Sequence, residues 1–395
     1  MNRNILIFLI TISFYEFCFC YPQCLNENGE VIDWFVIYKL PKIKDHPNYK
    51  IAQGIAYMYI TSETVKQGWK YGKYSITHSK SMVGQTLFVK YPLETNNVND
   101  IFWVYYNDQP PNQKFTYKEG HTKGIVIGNN DGGFWMVHSV PKFPMINTTS
   151  YKFPMSGTVY GQSFLCISML QGNLNEVGDQ LITNCANVFD SKFTPDLNNL
   201  YPALIEAANK ERRKIIRRKK IIVSSGGTHF ISFAKSSKFG KDLYSKWINE
   251  DLFTQLYVET WLHEGKLSSD CNDTYAVYNV RQISIDFLKC KFNNYKDHSK
   301  YAVSIDEEKP WVCIGDINRA NTQYIRGGGT VCTKDKDLWL LYYKIISSVE
   351  PCYFQNINFS EIKKKLPEVT MIIVTDMKMV GAGFSKYAEW EYEKN

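Results

Sequence analysis

The stretch GHTKGIVIGNNDGGFWMVHSVP, residues 120–141, decides how this chain is read. It holds His121-Thr122-Lys123, the apolar run Gly124-Ile125-Val126-Ile127-Gly128, a polar turn over residues 129–133, and the return Phe134-Trp135-Met136-Val137. Two β-branched and aromatic runs on either side of an Asn-Asn-Asp-Gly-Gly turn predict a β-hairpin. Residues two apart on a strand share a face, so His121 and Lys123 project together toward one target. A titratable ring beside a fixed cation suits a phosphate group.

Working outward, a second pair appears far along the chain. Asp297-His298-Ser299-Lys300 ends a polar loop that begins at Asn293. The halves thus share one order of parts: loop, His-x-Lys, strand, polar turn. One pair can bind a phosphodiester, and two facing pairs can cleave it. One neutral imidazole attacks phosphorus to give a phosphohistidine, the other, protonated, donates to the leaving oxygen, and water then reverses the route. Lys123 and Lys300 would neutralise the non-bridging oxygens as charge builds, so the scheme needs no metal and no cofactor. The motif is short, and seven histidines in a lysine-rich chain produce about one match by chance. A third match, His78-Ser79-Lys80, lacks the apolar strand and Asp-Gly-Gly turn and is expected on the surface. Spacing alone leaves open that His121 and His298 are structural, and His138 is expected to order the hairpin through a backbone contact.

The flanking sequence fills in the frame. Residues 31–40 (VIDWFVIYKL) predict a buried strand stopped by Pro41, and residues 101–106 another. Residues 197–220 turn toward helix formers and close in a basic run, 210–220, that includes Arg212, Arg213, Arg217 and Arg218; the midpoint of the fold is expected near here. That run reads equally as a solvated helix face or as a phosphate-contacting patch. Further on, residues 242–262 carry helical spacing, 275–285 alternate as a strand, and 338–346 return to helix.

Composition limits the possible settings. The first twenty residues hold Arg3 and a largely apolar run at 5–12, the layout of a secretory leader, and no later run approaches the length of a membrane span. Without the leader eight cysteines remain, an even set with no paired CxxC spacing, which favours disulfides in an oxidising compartment over structural zinc. Sequons at Asn147, Asn272 and Asn358 are usable on the same route, to a lysosome or the cell exterior. The formal charge of +7 favours polyanions without choosing among nucleic acid, glycan and anionic lipid.

Longer words sharpen the choice. Asp33-Trp34-Phe35-Val36-Ile37-Tyr38-Lys39-Leu40-Pro41, Tyr106-Asn107-Asp108-Gln109-Pro110-Pro111, Gly315-Asp316-Ile317-Asn318-Arg319 and Arg326-Gly327-Gly328-Gly329-Thr330, together with both His-x-Lys segments, closely resemble the deoxyribonuclease II family from about residue 21 to residue 352. The resemblance implies an α/β fold of mixed sheets, a phospholipase D-like pseudo-dimer of two halves in one chain: a leader at 1–20, an N-terminal half at 21–205, a C-terminal half at 206–352 and an extension at 353–395 that departs from the family. It implies a metal-independent acid endonuclease that leaves 3′-phosphates on DNA, with His121, Lys123, His298 and Lys300 catalytic and a homodimer possible. Asn318 sits where phospholipase D-like sites carry a polar Gly-x-x-Asn element, as an orienter of phosphate or histidine. The aspartates expected further along each motif are replaced by Gly128 and Ile305, leaving Asp131 and Asp316 as candidate carboxylates. The resemblance also implies disulfides Cys24–Cys166, Cys271–Cys352 and Cys313–Cys332, with Cys185 and Cys290 unassigned. The competing reading is a secreted, catalytically weak or inactive relative that binds DNA or a host partner.

Overall fold

The computed structural model describes residues 21–90, 101–111, 113, 117–146, 148–262 and 265–352. The leader, the extension at 353–395 and the sequons at Asn147 and Asn358 lie outside the described residues; Asn272 is exposed in a turn.

A short ribbon, β1 (Cys24–Leu25) with β2 (Val31–Ile32), leads into two large sheets. The first contains β3 (Trp34–Lys39), β4 (Tyr57–Thr61), β5 (Lys70–Tyr71), β6 (Phe102–Asn107), β7 (Lys123–Gly128), β8 (Gly132–His138), β9 (Gln162–Leu170) and β10 (Val188–Lys192), in the order β10-β6-β7-β8-β9-β3-β4-β5. The second contains β11 (Arg217–Val223), β12 (His229–Lys235), β13 (Leu256–Glu259), β14 (Val277–Ile285), β15 (Cys290–Asn293), β16 (Tyr301–Ser304), β17 (Trp311–Gly315) and β18 (Gly328–Lys334), in the order β11-β12-β18-β17-β16-β13-β14-β15, with β19 (Ile346–Val349) added beside β14. With helices packed on these sheets, the α/β class expected from the sequence holds.

Alternation along single strands explains the layering. On β3, Trp34, Val36 and Tyr38 join a core shared with Val280, Ile283, Tyr301 and Val331 of the second sheet, while Phe35 and Ile37 face a separate cluster with Phe134 and Phe164. A strand buried on both faces reads as a continuous apolar run, which is why residues 31–40 showed little polarity. The helix Gln171–Thr183 bridges the sheets through Leu174, Val177 and Leu181, and its Gln180 donates to the Ser232 carbonyl on β12 at 3.0 Å.

The hairpin expected at 124–137 is present as β7 and β8, in register from Gly124–Val137 to Gly128–Gly133. The strand at 275–285 appears as β14, and the helix near 338–346 as Lys336–Ile345, capped by Asp335 on Leu338 N. Two expectations are corrected. Residues 197–220 form only the helix Pro202–Ala208 before the basic run straightens into β11, because all seven residues of Arg217–Val223 pair with β12 and this ladder overrides local helix propensity. Residues 242–262 are helical only across Tyr244–Ile248 and Asn249–Asp251. Phe253, at φ 53°, then turns the chain into β13.

All three expected disulfides, Cys24–Cys166, Cys271–Cys352 and Cys313–Cys332, are formed, and Cys185 and Cys290 are free thiols. Among the described residues no helix is long and apolar enough to cross a membrane. The disulfides fit an oxidising compartment such as the secretory route.

Candidate active site

A cleft of about 530 Å³ is lined by His121 and Lys123 from the first sheet and by His298, Lys300 and Asn318 from the second. The first His-x-Lys segment runs into the start of β7 and the second ends just before β16, and the two sheets bring these strand starts to one opening.

His121 is placed by residues of the other sheet. Its backbone N–H donates to the Gly327 carbonyl at 2.8 Å, and its ring Nδ1 to the Asp316 carbonyl. A carbonyl only accepts, so Nδ1 carries the hydrogen and the neutral ring presents the Nε2 lone pair. Burial, followed by the charge of Lys123, holds the ring's pKa well below its ordinary value. His121 is therefore neutral and basic at one defined nitrogen.

Asp108, just past the end of β6, completes this side. It is fully buried, ion-paired with Lys123, 3.2 Å from Arg326 Nη2 and 4.0 Å from His121 Nε2. Burial pushes its pKa up, but the charges of Lys123 and Arg326 outweigh this and hold the carboxylate well below its usual range. The sequence signal for it was a polar residue right after a buried strand, too common a pattern to single out.

His298 sits in a different setting. Its ring stacks on Tyr160 at 4.3 Å and 6°, with the Trp261 ring 4.0 Å away at 52°. Its backbone N–H donates to the Gly161 carbonyl of the first sheet at 2.9 Å, and Asp297 beside it accepts from Tyr38 of β3 and from Ser299. Lys300 donates to the His298 carbonyl. Burial, with Lys123 next in importance, brings its pKa down to about 7.

The supporting residues divide. Asn318 lines the cleft, its amide oxygen buried and without a hydrogen-bond partner among the described residues. Asp316 acts through its carbonyl on His121, while its carboxylate accepts from Thr122 and from Gly329 N, and burial raises its pKa to about 6. Asp131 is not brought to the site: it is exposed in the turn at the far end of the hairpin, a six-residue strand or roughly 20 Å from His121. His78 is exposed and stacked on Tyr74, away from the cleft lining. His138 is buried on β8 and accepts from Val140 N at 3.2 Å, the backbone contact expected of it.

The basic run is also outside the cleft lining. Arg212 pairs with Glu119, Arg213 with Asp179 at 2.6 Å and Glu206, and Arg218 with Glu176 at 2.8 Å; Arg217 lies over the Trp247 ring at 5.1 Å. Among the described residues no group of three or more His, Cys, Asp or Glu side chains is placed to hold a metal ion.

The family profile of Deoxyribonuclease II matches residues 23–352. The chain belongs to the deoxyribonuclease II family. Deoxyribonuclease-2-alpha of Sus scrofa is 34% identical over 345 residues, covering 85% of this chain and 92% of that protein. The Rattus norvegicus Deoxyribonuclease-2-alpha is 36% identical over 338 residues, 84% of this chain and 94% of that one. Plancitoxin-1 of Acanthaster planci is 33% identical over 335 residues, 84% and 92%. As a deoxyribonuclease II-type nuclease, the chain needs an anion-binding cleft with acid–base groups, and the described cleft supplies both.

Proposed function

We propose that the chain is a metal-independent acid endodeoxyribonuclease that hydrolyses DNA to 3′-phosphate products. The observation that carries this reading is the convergence of both His-x-Lys pairs on one cleft. The family's acid deoxyribonucleases point to DNA as the substrate.

The asymmetry of the two histidines supports a division of labour. His121 Nε2, neutral and oriented by the Asp316 carbonyl, attacks phosphorus in line with the 5′-oxygen of the next nucleotide. The N–P bond forms as the P–O5′ bond breaks, and His298, packed against Tyr160 and Trp261, acts as the general acid and gives its proton to O5′. Water then attacks the phosphohistidine, His298 takes back a proton, and the N–P bond breaks to release a 3′-phosphate. Lys123, Lys300 and the Asn318 amide face the non-bridging oxygens, and Arg326 with Asp108 fixes Lys123 in place.

A shared inner strand order, β6-β7-β8-β9-β3 in the first sheet and β13-β16-β17-β18-β12 in the second, supports a phospholipase D-like pseudo-dimer whose halves meet near residues 205–206. The disulfides support a secretory route to a lysosome or the cell exterior.

The test uses an aryl phosphodiester, whose leaving group needs no proton. His298→Ala should still release a burst of the phenol on this substrate while failing on plasmid DNA, and His121→Ala should fail on both. A burst from His121→Ala and none from His298→Ala would reverse the roles. Plasmid cleavage that requires added divalent cation would overturn the metal-free scheme. Binding of DNA with no cleavage at any pH would leave the competing reading, an inactive binder.

A further inference from the structure

Two lysines that the mechanism does not use are among the most buried groups in the molecule. Lys39 at the end of β3 is 0% exposed and Lys235 at the end of β12 is 1% exposed. Among the described residues neither amine makes a direct ion pair. Lys39 Nζ donates to the carbonyls of Thr158, at 2.7 Å, and Tyr160. Lys235 Nζ donates to the carbonyls of Gln323, at 2.8 Å, and Arg326, at 2.6 Å.

The two arrangements correspond position by position. The β3–β9 register sets Lys39 opposite Gln162, the residue after Gly161, and the β12–β18 register sets Lys235 opposite Gly328, the residue after Gly327. Each clamped turn therefore ends on a glycine, and each glycine carbonyl accepts from a catalytic histidine's backbone: Gly161 from His298 at 2.9 Å, Gly327 from His121 at 2.8 Å. The approach is close enough to demand glycine, because a Cβ on Gly161 would lie 2.3 Å from Asp297 Oδ1 and one on Gly327 2.0 Å from the Asn184 carbonyl. The clamped carbonyls of Tyr160 and Arg326 also belong to the residues whose side chains flank the site, Tyr160 on the His298 ring and Arg326 on Asp108. The relation is crosswise. Lys39 stands in the sheet of His121 but leads to His298, and Lys235 stands in the sheet of His298 but leads to His121.

We propose that Lys39 and Lys235 are a matched pair of positioning residues, each tying down the turn whose glycine carbonyl holds the catalytic histidine of the opposite sheet. Burying a lysine amine costs desolvation that an apolar side chain of similar length avoids, so its carbonyl bonds are what the position gains from lysine. The inference rests on the reading of His121 and His298 as the catalytic pair.

Lys39→Met and Lys235→Met in the full chain test it, each near-isosteric and lacking the donor. Plasmid cleavage should lose about ten- to a hundredfold in kcat, the scale of a displacement on the order of 1 Å, with KM within about twofold. Imidazole NMR resonances, assigned through His121→Ala and His298→Ala, should move crosswise: His298 in Lys39→Met, His121 in Lys235→Met. Lys39→Gln and Lys235→Gln, which restore a shorter donor, should recover part of kcat and provide the readout if the methionine variants fail to fold. An unchanged kcat, or shifts confined to the histidine of the substituted sheet or equal at both, would overturn the clamp. The resonances are read without substrate, so activity surviving in His121→Ala or His298→Ala would instead overturn the catalytic reading.

Discussion

At the scale of single residues, the two histidines are non-redundant. His121→Ala and His298→Ala should each lower DNA cleavage by at least ~10²-fold with the fold retained, whereas His78→Ala should be silent. Full activity in either of the first two would end the two-motif scheme. Lys300 sets a pH limit. Its pKa of about 7 in the folded chain means that this cation reaches the phosphate only on the acid side, so cleavage should fall as pH rises through about 7. The stability sign is opposite. Lys300's ordinary value is 10.5, so between about 7 and 10.5 the unfolded chain binds more protons than the folded one, and the contribution of Lys300 to stability rises with pH over that window. Below it, the buried ammonium costs in full. Lys300→Met should therefore raise the melting temperature at pH 5 while abolishing cleavage there; a lowered melting temperature would show that its bond to the His298 carbonyl outweighs the cost of burial. The motif residues were legible because strand periodicity and chain order carry them. Asp108, Tyr160 and Trp261 were not, since each reaches the site from a separate strand end or loop through contacts between distant parts of the chain.

At the scale of elements, the basic strand β11 and the cleft rim play different parts. The arginines at 212, 213 and 218 already face carboxylates, so replacing them with glutamine should leave the salt dependence of DNA binding unchanged and lower stability by about 0–1 kcal/mol per exposed pair. Lys142, exposed on the lining of the cleft, should behave otherwise: Lys142→Gln should reduce the slope of log affinity against log salt by about one. A slope that instead responds to these arginines would restore that run as a phosphate patch. Strands buried on both faces and the β7–β8 hairpin were readable from apolar runs and turn residues. The β11 strand was not, because Arg and Lys favour helix locally and only the partner β12, with the closing turn at 224–227, makes them extend.

At the scale of the whole molecule, the sheets are interlocked. Asp33 ahead of β3 accepts from Ser224 Oγ at 2.6 Å and Thr228 Oγ1 at 3.1 Å, Ser225 N donates to the Ser168 carbonyl at 2.8 Å, and His121 and His298 are each held by the other sheet. Residues 21–352 should therefore unfold in one transition, with calorimetric and van't Hoff enthalpies equal; two resolved transitions would contradict the shared core. The covalent map differs from the non-covalent one. Cys24–Cys166 lies wholly before the segment 211–216, while Cys271–Cys352 and Cys313–Cys332 lie wholly after it, so within residues 21–352 only the peptide chain joins the two parts. That segment has no helix or strand, is largely exposed, and offers Arg212, Arg213 and Lys214 to a trypsin-like protease. A single cut there would turn one chain into two that separate on a denaturing gel with or without reductant, yet co-elute and cleave DNA under native conditions. In a protease-rich compartment the enzyme would thus persist as a two-chain species whose subunits are the products of one gene and one nick.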